Sequence, residues 1–576
     1  MFRNRDEYHR FFSKVAGLVM ISLLLPWTVL AQEDLVEGED FGIVKAIRIT
    51  LTRRHDILVQ ENQIDIIRGQ RQTESGVFDP MIKATVSRNV ENTPLLPTER
   101  DSEEQSEQIF VSIYNIFNPG NPTQARKIKP FRSTERKTYQ LSIDKQLRNG
   151  IVVTPYAEVT QVIQGTANSR TPATQYSQGS YGLSFQIPLL RLGDDFTTAG
   201  ERMAYMEEQA SYLDLQHIIN SSILETVSTY WNYHAAQMNL DILEESEKQA
   251  GILLNQIQIL VKAGERPKTE IKQLQANLAD KTTAKILAEQ ELTKSKHELG
   301  TIMGLPFTQV NTLPPASDDF PDTPPDYNFK PEVMTYIEQA LKNRKDLQAI
   351  RIRKNAAHLT MTLARKSTRP QIDATINAYR IGTAEDDDSQ NPGSFQKNQA
   401  DTSVQGTLSF AWPFKNNAAH GLIQSAEASY QQHAIQIRHS KRIIRAGVTL
   451  RLTNLQSALN MLRYSQNAVE LNREALETER QKLKLGFSTT IDLILMENRL
   501  TEALLRNVSA RLQYAQALAL LRYETSTLLG NDEDGKFEVT WENLSQILSL
   551  NPVTTPDVPS GEESCCEDSD DAIDNP

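Results

Sequence analysis

The chain has 576 residues, a formal net charge of −12, and 39% hydrophobic and 23% charged residues. Because its basic residues form no concentrated patch, nucleic acid is not an expected partner. Beyond residue 31 no apolar run is long enough for a membrane-spanning helix. The only cysteines, Cys565 and Cys566, are neighbours in an acidic C-terminal segment, so disulfides do not hold the core together.

Residues 1–31 have the features of a secretory signal peptide. Basic residues within the first 14 positions precede an apolar stretch at 15–25. The sequence Val29-Leu30-Ala31 before Gln32 fits cleavage by signal peptidase. An N-terminal membrane anchor is the alternative interpretation. We expect the chain to be exported.

The first structured elements are predicted to be a helix and a strand. Residues 43–76 have the pattern of an amphipathic helix, which ends before Pro80. In the following strand Ile82, Ala84 and Val86 alternate with polar residues. Such period-two patterning indicates a strand with one apolar and one polar face.

Residues 91–136 are predicted to form a long polar loop. The next segment has the pattern of a β-hairpin at 139–162, in which Asn149-Gly150 is the turn. The second half of the chain has no obvious equivalent of this hairpin.

One structural unit occurs twice, which indicates a duplicated architecture. Two pairs of strand segments match: Pro80-Met-Ile-Lys-Ala-Thr-Val-Ser87 with Pro370-Gln-Ile-Asp-Ala-Thr-Ile-Asn377, and Tyr181-Gly-Leu-Ser-Phe-Gln-Ile-Pro188 with Gly406-Thr-Leu-Ser-Phe-Ala-Trp-Pro413. In the second pair the apolar face of the strand includes Leu183 and Phe185 in one copy and Leu408 and Phe410 in the other.

Each copy leads into a very long helical hairpin. Residues 197–262 and 416–485 are nearly free of helix breakers, and helical partners follow at 267–303 and 489–529. At 1.5 Å per residue the first helix of each hairpin is a rod about 100 Å long. Apolar residues at three- and four-residue steps predict coiled-coil-like packing between the helices.

The two hairpin tips share a pattern of a glycine followed six residues later by an acid. The pairs are Gly264 with Glu270 and Gly486 with Asp492. One interpretation is helix capping, since acids favour the first turn of a helix. The other is a ring of carboxylates, formed when several chains surround an axis, that would favour cations. The sequence leaves both open.

These observations divide the chain into five parts. They are a signal peptide (1–31), a first repeat (32–304), a proline-rich linker (305–331), a second repeat (332–530) and a C-terminal segment with an acidic, disordered tail (531–576).

Sequence motifs of catalysis are missing. The chain has no phosphate-binding glycine loop, no HExxH zinc motif and no nucleophile elbow. The nine histidines are scattered, and His234 lies on the apolar side of a helix, where packing is the expected role. We therefore predict no enzyme activity, no cofactor and no metal site.

Over residues 43–530 the chain resembles the TolC-like outer membrane efflux protein family. The resemblance rests on the duplicated order of helix, strand, loop, strand and long hairpin. Phe185-Gln-Ile-Pro-Leu-Leu-Arg-Leu-Gly193 is similar to the family's junction between strand and helix. The prolines of this junction are Pro188 and Pro413. The tips at Gly264 and Gly486, with the acids that follow, look like the family's hairpin turns.

The resemblance implies a mainly α fold with membrane β-structure, in which long helical hairpins join strands of a trimeric transmembrane barrel. Each chain of such a homotrimer contributes four strands to twelve, and the helices form a long periplasmic tunnel below the outer membrane. The apolar strand faces, with Leu183, Phe185, Leu408 and Phe410, would contact membrane lipid. The loops at 91–136 and 379–401 would lie outside the cell. A periplasmic adaptor would dock near the tips and connect the tunnel to an inner-membrane pump.

Some positions depart from the family pattern. Where the best-studied members have a second acid after the position of Asp492, this chain has Leu495, and the polar latch of the closed tip falls on Leu483 and Ser488. The hairpin at 139–162 is additional to the four expected strands, and an insertion outside the membrane is one interpretation of it.

The function predicted from these features is passive passage of exported substrates from a pump-adaptor assembly across the periplasm and the outer membrane. The alternative is a periplasmic adaptor or coiled-coil scaffold without a pore. Adaptors usually have one helical hairpin per chain between compact β domains, so two hairpins with alternating strands favour the channel.

Overall fold

The structure is a computed structural model that describes residues 40–168, 173–191, 193–322, 332–385, 401–531, 537–539 and 541–546. The predicted signal peptide and the tail with Cys565 and Cys566 lie outside the described residues. The same holds for residues 386–400 of the predicted second loop.

The elements follow one another in the order of the duplicated unit. The helices are α1 (Ile43–Arg53), α2 (His55–Ser75), α3 (Pro97–Phe117), α4 (Asp194–Thr197), α5 (Ala199–Lys262), α6 (Thr269–Ile302), α7 (Phe307–Asn311), α8 (Val333–Asn343), α9 (Lys345–Lys366), α10 (Asn417–Lys484), α11 (Thr490–Glu524) and α12 (Trp541–Ser545). The strands are β1 (Met81–Pro94), β2 (Phe131–Gln146), β3 (Val152–Gln164), β4 (Thr174–Pro188), β5 (Gln371–Glu385), β6 (Ser403–Ala411), β7 (Gly530–Asn531) and β8 (Phe537–Glu538).

Two helical hairpins, α5–α6 and α10–α11, run away from the strands. Helices α5 and α10 have 64 and 68 residues, so each is a rod about 100 Å long. Along α10 a stripe of buried residues recurs every three or four positions, as in a helix that packs on one side. The stripe consists of Ile444, Val448, Leu452, Leu455, Leu459 and Leu462.

At the strand end, α2, α5, α9 and α10 lie side by side in that order and form a four-helix wall. Ion pairs connect its neighbouring helices. Arg71 Nη1 lies 2.6 Å from Glu208 Oε2 between α2 and α5, and Arg353 Nη2 lies 2.6 Å from Asp214 Oδ2 between α9 and α5. Arg365 pairs with Glu427 between α9 and α10. Each of these helices is joined directly, or through a short segment, to one strand of the sheet.

The helix predicted over 43–76 is two helices, because Arg54 has an extended conformation with φ −66° and ψ 126°. The second repeat breaks in the same way at Arg344, with φ −61° and ψ 121°. Each arginine binds the aspartate two residues further on, Asp56 or Asp346. The Arg-x-Asp sequence therefore forms the same joint in both repeats.

Six strands form one antiparallel sheet in the order β1–β2–β3–β4–β5–β6. The hairpin predicted at 139–162 is β2 and β3, which lie between β1 and β4 in this sheet. Its turn contains Gly150 with φ +93°. The hairpin is thus part of the same sheet as the four strands expected from the duplicated unit.

The prediction of a polar loop at 91–136 was wrong, because β1 extends to Pro94 and residues 97–117 form α3. Pro97 occupies the first helical position, where its missing N–H costs nothing, and the Glu99 carboxylate accepts a hydrogen bond from the Leu96 amide at 3.3 Å. The buried Glu107 side chain accepts hydrogen bonds from the Arg126 amide (2.9 Å) and Asn168 (3.0 Å). This carboxylate attaches α3 to the segments beside it.

The largest core lies halfway along the helices, where α1, α7 and the segment at 313–320 pack on α5 and α11. Trp231 is fully buried and stacks on Phe320 with ring centroids 5.1 Å apart. The beginning of the predicted linker is therefore packed structure. None of the described helices has an apolar stretch long enough to cross a bilayer.

Candidate functional site

One face of the sheet carries a continuous apolar band across all six strands. In the observed register, apolar side chains of all six strands lie opposite one another, for example Ile82 with Ile143 and Phe185 with Ile376. The face consists of Ile82, Ala84 and Val86 (β1), Tyr139, Leu141 and Ile143 (β2), Val153, Ala157 and Val159 (β3), Tyr181, Leu183, Phe185 and Ile187 (β4), Ile372, Ala374, Ile376 and Ala378 (β5), and Val404, Leu408 and Phe410 (β6). In a single chain Leu408 and Phe410 are exposed to 70% and 65%. A face with such exposed apolar side chains needs an apolar environment.

The opposite face of the same strands is polar. Its residues include Lys83, Thr85, Gln140, Ser142, Thr154, Ser184, Asn377, Thr375 and Thr407. Lys83 Nζ lies 2.5 Å from Asp144 Oδ2, and the Thr154 hydroxyl donates to Asp144 Oδ1 at 2.9 Å. The sheet therefore separates an apolar from a hydrated side.

The two strand-to-helix junctions differ in detail. Pro188 is the last residue of β4, and the next amide, Leu189, donates to the Ile372 carbonyl of β5 at 2.8 Å. Pro413 lies two residues after β6, and the chain enters α10 through Asn416, whose φ is +44°. Both junctions place a long helix below its strand.

The two hairpin tips have the same backbone geometry. Gly264 and Gly486 have φ +81° and +80°, and in each tip the glycine amide donates to a carbonyl three residues earlier at 3.1 Å. A Cβ added at either glycine would meet no described atom within 4 Å. The left-handed conformation alone therefore favours glycine here.

The acids after these glycines have different contacts. Asp492 forms a capping box with Thr489: its carboxylate accepts from the Thr489 amide at 3.2 Å, and the Thr489 hydroxyl accepts from the Asp492 amide at 3.2 Å. Glu270 instead accepts from the Thr490 hydroxyl at 3.0 Å and lies 3.8 Å from Arg266. Asp492 thus caps its own helix, whereas Glu270 connects the first hairpin to the second.

Charges at the second tip are held in the ionised form. The hydroxyl of Thr489, followed by its amide, lowers the pKa of Asp492 below its ordinary value. The Ser488 hydroxyl and then Lys482 lower the pKa of Glu479. Because hydrogen bonds to a carboxylate favour its charged form, both groups are anions at neutral pH.

The exposed chemistry of the tips also differs. The second tip exposes Leu485 and Phe487 to 71% and 82%, with Ile491 and Leu495 beside them. The first tip exposes charged residues, among them Lys262, Glu265 and Lys268. Ser488, at one of the two positions where the resembling family has a polar latch, binds Glu479 of its own hairpin.

His234 packs in the central core, as the sequence indicates. Its ring lies 4.8 Å from that of Phe320, and its Nε2 is 3.8 Å from Asp319. Burial lowers the pKa of His234, and Asp319 opposes that effect only in part, so the imidazole is neutral at pH 7. Within the described residues no group of three or more His, Cys, Asp or Glu side chains is arranged to hold a metal ion.

Sequence reasoning missed the residues that partner the two acids. The Thr489-x-x-Asp492 spacing is a capping-box signal that could have been recognised. The contact between Thr490 and Glu270 joins residues that are 220 positions apart in the chain, so no local sequence pattern predicts it.

Comparison with known proteins identifies relatives of this arrangement. Residues 336–525 match the family "Outer membrane efflux protein". The chain is 23% identical to the outer membrane protein TolC of Vibrio cholerae over 328 residues, which cover 57% of this chain and 73% of that protein. It is 21% identical to the proteases secretion protein PrtF of Dickeya chrysanthemi over 317 residues, 54% of this chain and 65% of PrtF.

Among solved structures, the Campylobacter jejuni CmeC outer membrane channel is similar with a TM-score of 0.57. The match has 12% sequence identity and covers 84% of this chain and 85% of CmeC. At that identity the likeness establishes a shared fold of strands and long helical hairpins.

Proposed function

We propose that this chain is a TolC-like outer membrane efflux protein, three copies of which surround a common axis and form a passive duct for exported substrates. The protein is an outer membrane channel of efflux or secretion, with a long periplasmic tunnel. Its family and fold are those of channel proteins, which are not enzymes.

The observation that carries the proposal is the sheet with one apolar and one polar face and with open edges at β1 and β6. Strand edges cannot remain unpaired in a bilayer, because their backbone groups would have no hydrogen-bond partners. Closure with strands of neighbouring copies would satisfy every edge. The apolar face, including Leu183, Phe185 and Leu408, would then contact lipid, and the polar face would line water.

The helices supply the second part of the duct. Rods about 100 Å long extend from one side of the sheet, which suits a tunnel through the periplasm. The four-helix wall of one chain would continue into the walls of its neighbours. Passage along such a tunnel needs no catalytic group.

TolC-family channels work with a periplasmic adaptor and an inner-membrane pump. For this chain we place the adaptor at the hairpin tips and the energy source in the pump. Glu270 and Asp492 of three chains would put six carboxylates near the inner end of the tunnel. Such a ring attracts cations at a constriction.

The test is single-channel conductance of the detergent-purified oligomer in a planar bilayer, together with its size before and after heating. We expect a heat-resistant trimer from the outer membrane and stable, cation-preferring conductance steps. If the intact protein is silent, variants shortened at the tips near Gly264 and Gly486 remove a closed tip as the cause. Silence of those variants, with monomers in the periplasm, would contradict the channel and favour an adaptor or scaffold.

A further inference from the structure

We propose that all six strands of each chain cross the outer membrane, so that the barrel of a trimer has 18 strands. This inference rests on the proposed trimeric channel. In such a barrel the hairpin β2–β3 is part of the wall. The open edges of the sheet, β1 and β6, pair with other copies of this chain.

The faces of the hairpin match those of the other four strands. Tyr139 lies opposite Val86 on one side and Val159 on the other, and Ala157 lies opposite Leu141 and Tyr181. The polar residues of the hairpin are likewise in register with polar residues of β1 and β4. An insertion that stayed in water would need no such agreement, since its register would be free of lipid constraints.

The hairpin strands are also long enough to cross a bilayer. β2 has 16 residues and β3 has 13, whereas a tilted transmembrane strand needs about 9–11. β6, a strand of the duplicated unit, has only nine. Length therefore gives no reason to exclude β2 and β3 from the membrane.

Pro155 is the one feature of β3 that is unusual for an inner strand, because proline has no N–H for the ladder. The paired residues of β2 and β3 stop at Ser142–Tyr156 and resume at Lys145–Val153. The ladder is interrupted beside Pro155 without a shift of register. At this gap the Thr154 hydroxyl binds Asp144 on the polar face at 2.9 Å.

The turn of the hairpin is fastened to the helical part of the molecule. Arg148 Nη2 donates to Glu201 of α5 at 3.0 Å, and its guanidinium lies 5.0 Å from the ring centre of Phe78, between α2 and β1. The Asn149 carbonyl accepts from the Gly193 amide at 3.1 Å. The turn therefore sits at the junction of sheet and helices, level with the inner ends of β1 and β4.

The width of the four-helix wall agrees with six strands. Four helices at about 8–10 Å spacing occupy roughly 32–40 Å. Strands about 4.8 Å apart and tilted by about 40° occupy roughly 38 Å when there are six and 25 Å when there are four. Six strands per chain thus allow the barrel to meet the tunnel with little narrowing.

The directions of the two edge strands determine how neighbouring copies pair when the barrel closes. β1 and β6 run in opposite directions, because the sheet is antiparallel and has an even number of strands. β6 of one copy can therefore pair antiparallel with β1 of the next. Three chains of six strands give a barrel with a backbone diameter of about 36 Å, compared with about 24 Å for twelve strands.

Paired substitutions in the hairpin test this inference. Leu141→Asp puts a charge on the apolar face, and Gln140→Asp, one residue away, puts it on the polar face. We expect Leu141→Asp to lower the yield of heat-resistant outer membrane trimer several-fold, like the effect expected for Leu183→Asp in β4, and Gln140→Asp to stay within about twofold of wild type. Normal assembly of Leu141→Asp, alongside failure of Leu183→Asp, would place the hairpin outside the membrane and overturn the inference.

Electron cryo-microscopy of the wild-type oligomer gives the direct count. A threefold barrel of 18 strands, about 36 Å across, is the expected result. A threefold barrel of 12 strands would overturn this inference and leave the proposed channel intact. Particles without a threefold barrel would overturn the proposed trimer, and the 18-stranded barrel with it.

Discussion

The two copies of the repeated unit share their plan and differ at both ends. At the sheet, the first copy contributes four strands and the helix α3, and the second contributes two strands. At the tips, the first copy exposes charged side chains and the second exposes Leu485 and Phe487. The Arg-x-Asp joints between these ends share their backbone conformation, and so do the glycine turns at the tips.

The difference indicates which parts of the unit the architecture requires. A glycine with positive φ closes both tips, and an arginine breaks both short helices at the same point. These features set the path of the chain. The strands and tip surfaces contact lipid, water or partner proteins in the proposed channel, and they have diverged between the copies.

The largest difference between the copies in the effect of a substitution is expected at the Arg-x-Asp joints, because their side chains are buried to different extents. Arg344 and its partners Asp346 and Glu524 are 11%, 26% and 12% exposed, whereas the partners of Arg54 are more than half exposed. We expect Arg344→Ala to lower the free energy of unfolding by about 3 kcal/mol, because it leaves Asp346 enclosed without its guanidinium partner and Glu524 with only Arg451, at 3.8 Å. Arg54→Ala should cost about 1 kcal/mol.

Chemical denaturation followed by circular dichroism measures both joint variants. The Arg344 guanidinium outweighs burial and lowers the pKa of Asp346. The ion pair between Arg344 and Asp346 therefore stabilises the fold at neutral pH, and this contribution is lost as the pH falls through the folded-state pKa of Asp346. Equal losses for the two variants would mean that burial does not distinguish the joints.

The strand faces of the two copies are expected to respond alike. Leu183→Asp in β4 and Leu408→Asp in β6 each put a charge towards lipid, at a cost of about 2 kcal/mol per chain. We expect most of the heat-resistant trimer to be lost in both variants. Heat-modifiability of the protein in outer membrane extracts provides the measurement.

Ser184→Asp and Thr407→Asp are the matched controls, since both residues lie on the polar face. They should assemble normally. Loss of assembly in the controls and normal assembly of the leucine variants would show that the lipid and water faces are reversed.

At the tips, neutral substitutions separate charge from capping. Asp492→Asn removes the charge of the second tip and Glu270→Gln that of the first, and we expect each to reduce cation selectivity, most of all in combination. The reversal potential in a salt gradient across a planar bilayer reports it. Unchanged selectivity in the double variant would leave capping and hairpin contact as the only roles of these acids.

Thr489→Ala is the control for Asp492, because it breaks the capping box and keeps the carboxylate. It should cost about 1 kcal/mol of stability and leave cation selectivity in place. Thr490→Val is the corresponding control for Glu270, whose hydrogen bond it removes.

The smallest effect on stability is expected from His234, which lies in the central core, away from the strands and the tips. Because burial lowers the pKa of His234 below its ordinary value of 6.5, the unfolded chain binds this proton more readily than the folded one. Stability is therefore retained above about pH 6.5 and decreases as the pH falls below it.

His234→Phe should reduce the loss of stability between pH 7 and pH 5, because the variant has no imidazole for the unfolded chain to protonate. Denaturation midpoints across this range provide the comparison with wild type, in which Asp319 and Arg511 lie near the ring. The same pH dependence in both proteins would mean that folding does not change the pKa of His234.

Much of the fold could be read from local patterns. Alternation along 80–87 and 181–188 identified strands and their faces, and the lack of helix breakers identified the long helices. Gly264 and Gly486 marked the two turns. The helix α3 was missed because its apolar residues are confined to the C-terminal half, although Pro97 and Glu99 are an N-terminal signal.

The sequence by itself determined most of the secondary structure, the duplication and the two faces of the strands, because these depend on residues close together in the chain. Only the tertiary structure decided that β2 and β3 lie between β1 and β4, and that Glu270 binds Thr490 of the other hairpin. Strand order and contacts between distant segments depend on packing and hydrogen bonds across the whole chain. A period of two residues states which way a side chain points, and it carries no information about the neighbouring strand.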